Sequence, residues 1–147
     1  EEIEELRAQV APDLFAGFDV AAFAGTSMPG LRLVHDAYRE GVDAGERVSL
    51  ALRTALFEEG RDIADQAVLE DVAGAEGLAR RGEATDEDVI ADWREGQRRG
   101  VIGSPHFFVA GGDWFCPALE ISRVGDRLRI STDPAAFDRF VAACLGH

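Results

Sequence analysis

The spacing of the apolar residues changes once along the chain, near residue 101, and no other feature limits the fold as much. Upstream, apolar side chains recur every three or four residues, the repeat of amphipathic helices. Downstream they alternate with polar ones, or run together over short stretches bounded by glycine, as strands do. The order read from the sequence is therefore a series of helices, two hairpins and a closing helix.

Capping residues divide the helical part. Ile3, Leu6 and Val10 form one stripe that ends before Pro12, and Asp19 can cap a short apolar turn through Val20, Ala22 and Phe23. Thr26 or Ser27 precedes Pro29, Leu33, Val34, Ala37 and Tyr38 share a face, and Gly41 ends that helix. After Asp43 a further helix carries Val48, Ala51, Leu52, Ala55 and Leu56 as far as Gly60. Asp65 starts the next, with Val68, Leu69 and Val72 turned inward. Gly77, Arg80, Arg81, Gly82 and Glu83 read as a connector. Thr85 and Asp88 have the spacing of a capping box ahead of Val89, Ile90 and Trp93.

From Pro105 the run His106-Phe107-Phe108-Val109, a Gly-rich turn and Trp114-Phe115-Cys116 make a hairpin. Leu119, Ile121, Val124, Leu128 and Ile130 alternate about Gly125-Asp126 as a second one. Asp133 and Pro134 then open a helix whose apolar face is Phe137, Phe140, Val141 and Cys144.

Charge narrows the partners. The 147 residues hold 15 basic side chains, all of them Arg, against 28 acidic ones, a net charge of −13. Such a surplus repels phosphate backbones and anionic lipid, so neither nucleic acid nor a membrane surface is an expected partner. No apolar run approaches the roughly 18 residues of a membrane span, and no secretory pattern is present; two cysteines, too few for a disulfide framework, favour the cytoplasm. Arg without any Lys, and no Asn at all, reads as the style of a GC-rich genome. The chain opens on Glu1 and not on Met, which suggests a preceding segment.

The motif with most chemical content is Gly100-Val101-Ile102-Gly103-Ser104-Pro105-His106-Phe107-Phe108-Val109. A helix stops, a glycine-flanked loop turns, and a Ser-Pro bond leads straight into a strand; an X-Pro bond at such a place is either cis or a plain strand start. The two cysteines, Cys116 and Cys144, are too few for a disulfide framework and read as buried structural thiols, with a disulfide between them as the lesser alternative. His35, His106 and His147 lack ligand spacing, so no metal is expected. Ser104 lacks the Gly-x-Ser-x-Gly setting of an exposed nucleophile. Arg61 and Asp62 are expected to pair, Glu58, Glu59, Asp62 and Asp65 to form a solvated acidic cluster, and Trp93, Trp114 and the nine Phe to lie mostly in the core.

The segment from Gly103 to Val109, the hairpin through Trp114-Phe115-Cys116-Pro117 and the last helix resemble the C-terminal half of DsbA-like thioredoxin-fold proteins. Thr26-Ser27-Met28-Pro29, Leu56-Phe57-Glu58-Glu59-Gly60-Arg61-Asp62-Ile63 and the helix ending at Gly100 resemble the helical domain inserted in that fold, particularly in its FrnE-type branch. The resemblance runs from about Pro12 to the C-terminus. It implies an α/β fold, thioredoxin-like, with residues 1–100 as the helical insertion and 101–147 as the C-terminal hairpins and helix. The N-terminal βαβ portion, with its Cys-x-x-Cys, is absent from these residues.

The activity implied is thiol-disulfide oxidoreduction, with the dithiol upstream of residue 1 and Gly103, Ser104, Pro105 and His106 as the substrate-binding loop. No residue of the 147 is then catalytic, and no cofactor is called for. Protein or small-molecule thiols and disulfides are the implied partners, and a half-fold with open strand edges would also favour a homodimer. Two alternatives share the fold: a glutathione-dependent isomerase or transferase of the hydroxychromene-carboxylate isomerase or kappa type, and a non-catalytic binding or dimerisation module.

Overall fold

The computed structural model describes residues 2–21, 23, 25–110 and 112–146. Ala22, Gly111 and His147, which the sequence placed in a turn, a hairpin loop and a set of possible ligands, lie outside them. The chain forms two compact units, one of residues 13–95 and one of residues 1–12 with 96–147. Among the described residues no helix is long and apolar enough to cross a membrane.

The first unit is helical. Helices α2 (Met28–Glu40), α3 (Val42–Arg53) and α4 (Gln66–Ala75) enclose a core of Leu33, Ala37, Val48, Leu52, Ile63, Leu69, Val72, Ala73 and Leu78. Each large aliphatic side chain removed from water there contributes about 1.5–3 kcal/mol. A single residue, Gly41, joins α2 to α3, and its φ of 143° is one that glycine alone adopts freely. Helix α3 consequently starts one residue before Asp43, which then sits in its first turn where a negative charge complements the helix dipole. Tyr38 packs flat on Gly45 of α3, where an added Cβ would come within 2.3 Å of the ring.

Where regular helix was expected up to Gly60, α3 widens into a π-helical turn, Thr54–Glu58. The Glu59 amide donates to the Thr54 carbonyl at 3.0 Å, five residues back. This turn receives the preceding loop: Gly17 N–H donates to Phe57 O at 3.1 Å, and Gly17 lies so close that a Cβ would stand 2.2 Å from the Glu58 carbonyl oxygen. Phe15 and Phe18 close around Phe57, each with its ring centroid 5.4 Å away.

The expected Arg61–Asp62 pair does not form. Asp62 Oδ1 is taken by the Ala64 amide at 2.9 Å, a local turn that reaches two residues on, and Arg61 instead extends to Asp71 at 2.7 Å and Glu59 at 3.4 Å. The Asp71 hydrogen bond is the main reason that the Arg61 guanidinium is held above its ordinary pKa. Asp65 is also more than a solvated charge, since it caps α4 by accepting from Ala67 N–H at 2.8 Å.

One charged side chain belongs to the interior. Asp36, on the inward stripe of α2 between Leu33 and Ala37, is 1% exposed and accepts the amides of Gly82 at 2.8 Å, Glu83 at 3.2 Å and Ala84 at 2.7 Å. It thereby folds the connector against α2. Next along the chain, Thr85 and Asp88 form the expected reciprocal cap of α5 (Asp86–Arg98), with the Thr85 hydroxyl 2.6 Å and the Thr85 amide 2.7 Å from Asp88 Oδ2. Trp93, expected inside, is 63% exposed; with Leu31, Val34 and Val89 it lines an open groove beside α2.

The second unit contains α1 (Glu2–Gln9), two separate antiparallel hairpins and α6 (Pro134–Leu145). Strands β1 (His106–Val109) and β2 (Gly112–Phe115) pair with His106 opposite Phe115; β3 (Leu119–Val124) and β4 (Arg127–Thr132) pair with Ile121 opposite Ile130. The Gln9 amide group serves the outer edge of β4, donating to Leu128 O at 3.0 Å and accepting from Ile130 N–H at 2.9 Å, as a neighbouring strand would. Asp133 caps α6 through Ala136 N–H at 2.8 Å, and Gly146, at a φ of 73°, ends it. Phe140 of α6 meets Phe107 at 4.7 Å and Trp114 at 6.0 Å. None of the nine Phe is fully buried, contrary to expectation; for the five in this unit, Phe107, Phe108, Phe115, Phe137 and Phe140, a two-stranded ribbon with one helix on a face cannot enclose a ring on all sides.

Two measurements test these contacts. Asp36→Ala takes the acceptor from three amides, that of Ala84 buried, and is expected to lower stability by about 3 kcal/mol in urea unfolding, with Asp36→Asn, which keeps one acceptor, falling between the two. The Asp88 carboxyl is held below its ordinary value of 3.8, first by the Thr85 hydroxyl and then by the Thr85 amide. The stabilisation it gives is therefore complete above 3.8 and lost as pH falls through the lower folded value. Asp88→Asn should be less stable than wild type at neutral pH and indistinguishable from it in strong acid.

Candidate functional site

Helix α5 ends where Gly100 takes a φ of 77° and donates to Gln97 O at 3.0 Å. The loop that follows is short and held at nearly every position. Gly103 lies under the Phe115 ring so closely that a Cβ would be 2.6 Å from its Cε2, so only glycine fits there. The Ser104–Pro105 bond is cis. Pro105 O accepts from Cys116 N–H at 2.9 Å, which sets the register of the hairpin that begins at His106.

Ser104 and Pro105 are exposed. Among the described residues neither Gly103 nor Ser104 spends a backbone group on an internal hydrogen bond. The loop thus presents backbone donors and acceptors on a fixed frame, an arrangement suited to an extended ligand.

His106 is placed differently from its neighbours. Its side chain is only 3% exposed, with Nε2 2.8 Å from Asp113 Oδ2 and Nδ1 facing the Ile102 amide at 3.4 Å. The ring stacks on Phe108 at 4.7 Å and meets the edge of Phe115 at 6.0 Å. Gly103, Ser104, Pro105 and His106 therefore stand together at one end of the β1–β2 ribbon, the first three forming its accessible rim. The sequence reading had missed Asp113 and Phe115. Both could have been found from the hairpin register, since Phe115 lies opposite His106 and Asp113 diagonal to it.

A family model for the DSBA-like thioredoxin domain matches residues 10–128. The chain belongs to this family. No curated protein and no solved structure matches it. Membership of the DSBA-like thioredoxin family puts the chain in the thiol-disulfide oxidoreductase-type superfamily, and the match takes in the helical unit, the Gly103–Pro105 loop and the hairpins as far as the start of β4.

Neither cysteine is in a disulfide. The disulfide that the sequence allowed between Cys116 and Cys144 is not made, and Cys144 is exposed instead of buried. Helix α6 reaches the β1–β2 ribbon through Phe140, and Cys144, one turn further on, lies past that contact. Cys116 is half-buried at a φ of 45°, a left-handed conformation unusual outside glycine, with its amide fixed to Pro105. Among the described residues no three His, Cys, Asp or Glu side chains gather as a metal site.

Thiol titration of the folded chain is expected to find both cysteines reduced, and iodoacetamide followed by peptide mapping should label Cys144 several-fold faster than Cys116. Equal rates, or no free thiol, would contradict the placement of these side chains.

Proposed function

We propose that the protein is a DsbA-type thiol-disulfide oxidoreductase in which residues 1–147 bind and position the substrate, and in which the exchanging dithiol is supplied by sequence upstream of residue 1. The observation that carries this reading is the exposed Ser104–Pro105 loop with uncommitted backbone groups at Gly103 and Ser104, in a chain of the DSBA-like thioredoxin family. Neither Cys116 nor Cys144 has a cysteine three positions away, so no Cys-x-x-Cys lies within the 147 residues.

In this mechanism a thiolate of the dithiol attacks one sulfur of the substrate disulfide. The substrate S–S bond breaks, its other sulfur leaves as a thiolate, and a mixed disulfide forms. The second cysteine then displaces the substrate sulfur, so the dithiol is oxidised and the substrate disulfide reduced; the reverse sequence transfers a disulfide to the substrate. Gly103, Ser104, Pro105 and His106 form the loop along which the substrate lies, its backbone pairing with Ser104. Protein or small-molecule disulfides and thiols are the substrates proposed.

Insulin reduction with dithiothreitol tests the assignment. The gene product with its upstream sequence should turn over, and its Ser104-Pro105→Ser-Ala variant should lose about tenfold in kcat/KM, the loss of roughly one good contact. Residues 1–147 alone should stay at the uncatalysed background. An upstream sequence without Cys-x-x-Cys, or turnover by residues 1–147 alone, would overturn the proposal.

A further inference from the structure

Within the binding loop, His106 differs from the three residues before it: its ring is out of reach of a substrate, and both of its nitrogens face groups of the protein itself. We propose that His106 is a positioning residue, whose neutral ring ties the Ile102 amide to the Asp113 carboxylate and so fixes the loop that presents Ser104. This rests on the function proposed above for what the loop presents itself to, and on the geometry alone for the clamp.

The hydrogen-bond pattern selects one tautomer. The Ile102 amide can only donate, so Nδ1, 3.4 Å away, must offer its lone pair. The ring proton therefore resides on Nε2, which donates to Asp113 Oδ2 at 2.8 Å. Asp113 is itself well exposed, with 63% of its side chain open to solvent, and its carboxylate orients the ring from the solvent side. The orientation by a carboxylate of one imidazole nitrogen, so that the other can act, is a common use of such pairs.

Packing leaves the ring no other position. Phe108 lies against one face, with planes 28° apart, and Phe115 meets it at 77°. Phe115 is the same ring that covers Gly103. The loop is thus held on both sides of Ser104: Ile102 by the His106 ring, Gly103 by Phe115, and Pro105 by the Cys116 amide at 2.9 Å. Ser104, with no internal hydrogen bond among the described residues, is the position that this frame leaves for a ligand.

The test combines a structural readout on residues 1–147 with a kinetic one on the gene product. Long-range proton–nitrogen correlation of the histidine rings should show His106 protonated at Nε2 and bare at Nδ1. Ile102 amide exchange should accelerate about five- to tenfold in His106→Leu and Asp113→Ala, the worth of roughly one hydrogen bond, and should stay near wild type in Asp113→Asn, which keeps the acceptor. His106→Asn sets an amide oxygen near the place of Nδ1 and should restore Ile102 protection. In insulin reduction the Leu and Ala variants should raise KM by a similar factor with kcat little changed, and Asp113→Asn should not.

A proton on Nδ1, or Ile102 exchange indifferent to Asp113→Ala, would overturn the clamp. An accelerated Ile102 amide in these variants with unchanged KM would overturn the positioning role. Should His106→Leu fail to fold, His106→Asn and Asp113→Ala still decide. Absence of turnover by the wild-type gene product would refute the proposed function, and the tautomer and exchange measurements would stand or fall apart from it.

Discussion

Asp36 is the side chain on which the helical unit turns. A carboxylate placed inside a protein costs several kcal/mol unless its oxygens are supplied with donors. Asp36 obtains three from consecutive residues, Gly82, Glu83 and Ala84, the first of which adopts a φ of 76°. The amides converge because the chain reverses at Gly82, and the reversal is held because they converge. Leu78 buries the start of the connector, but without the Asp36 anchor its later residues would have only exposed contacts to return them to α2, and the Thr85 cap that starts α5 would not be delivered to its place. The charge thus does what an apolar residue at position 36 could not, since an apolar side chain has no means of selecting one backbone path over another.

The Gly103–Pro105 loop follows the same principle with weaker bonds. It is fixed from outside, by groups on the hairpin it leads into: the Cys116 amide, the Phe115 ring and the His106 imidazole. A loop held this way needs no bonds within itself, and this is why the backbone of Gly103 and Ser104 remains uncommitted while the loop keeps a single shape. Preorganisation lowers what a ligand must spend on ordering the site. The hairpin is therefore part of the site as well as part of the fold, and the register set by Pro105 and Cys116 governs both.

What could be read from the sequence was the local code. The change of period near residue 101, the Asp65 and Asp133 caps, the Thr85–Asp88 box and the Gly125-Asp126 turn all depend on residues within four positions of one another, and all of them form. What could not be read involves distance along the chain or the limits of enclosure. Asp36 finds its amides 46 to 48 residues away, and Arg61 passes over its neighbour for Asp71 because Asp62 is already engaged by a local turn. The π-helical turn at Thr54–Glu58 arises from the approach of Gly17, which no periodicity encodes. Trp93 and Cys144 carry the right spacing for a core and have nothing described over them, since periodicity states which way a side chain points and not whether anything meets it there.

The two hairpins show how differently a strand edge can be treated within one unit. On β4, whose Leu128 and Ile130 point their backbone groups outward, the Gln9 side chain takes one carbonyl and one amide and blocks the place of a further strand. On β1 the bond from Cys116 N–H to Pro105 O makes His106 and Phe115 a non-hydrogen-bonded pair, so the backbone groups of His106 and Phe108 point away from β2. Among the described residues β1 pairs with β2 alone. The edge that is capped thus belongs to the hairpin that does not begin at the loop, and the edge that continues the line of Ser104 and Pro105 has its amides and carbonyls spaced as a strand presents them. An extended chain that paired with Ser104, as the proposed function requires, would run on along His106 and Phe108 in the same register, so that function favours a substrate with an extended backbone over a compact one.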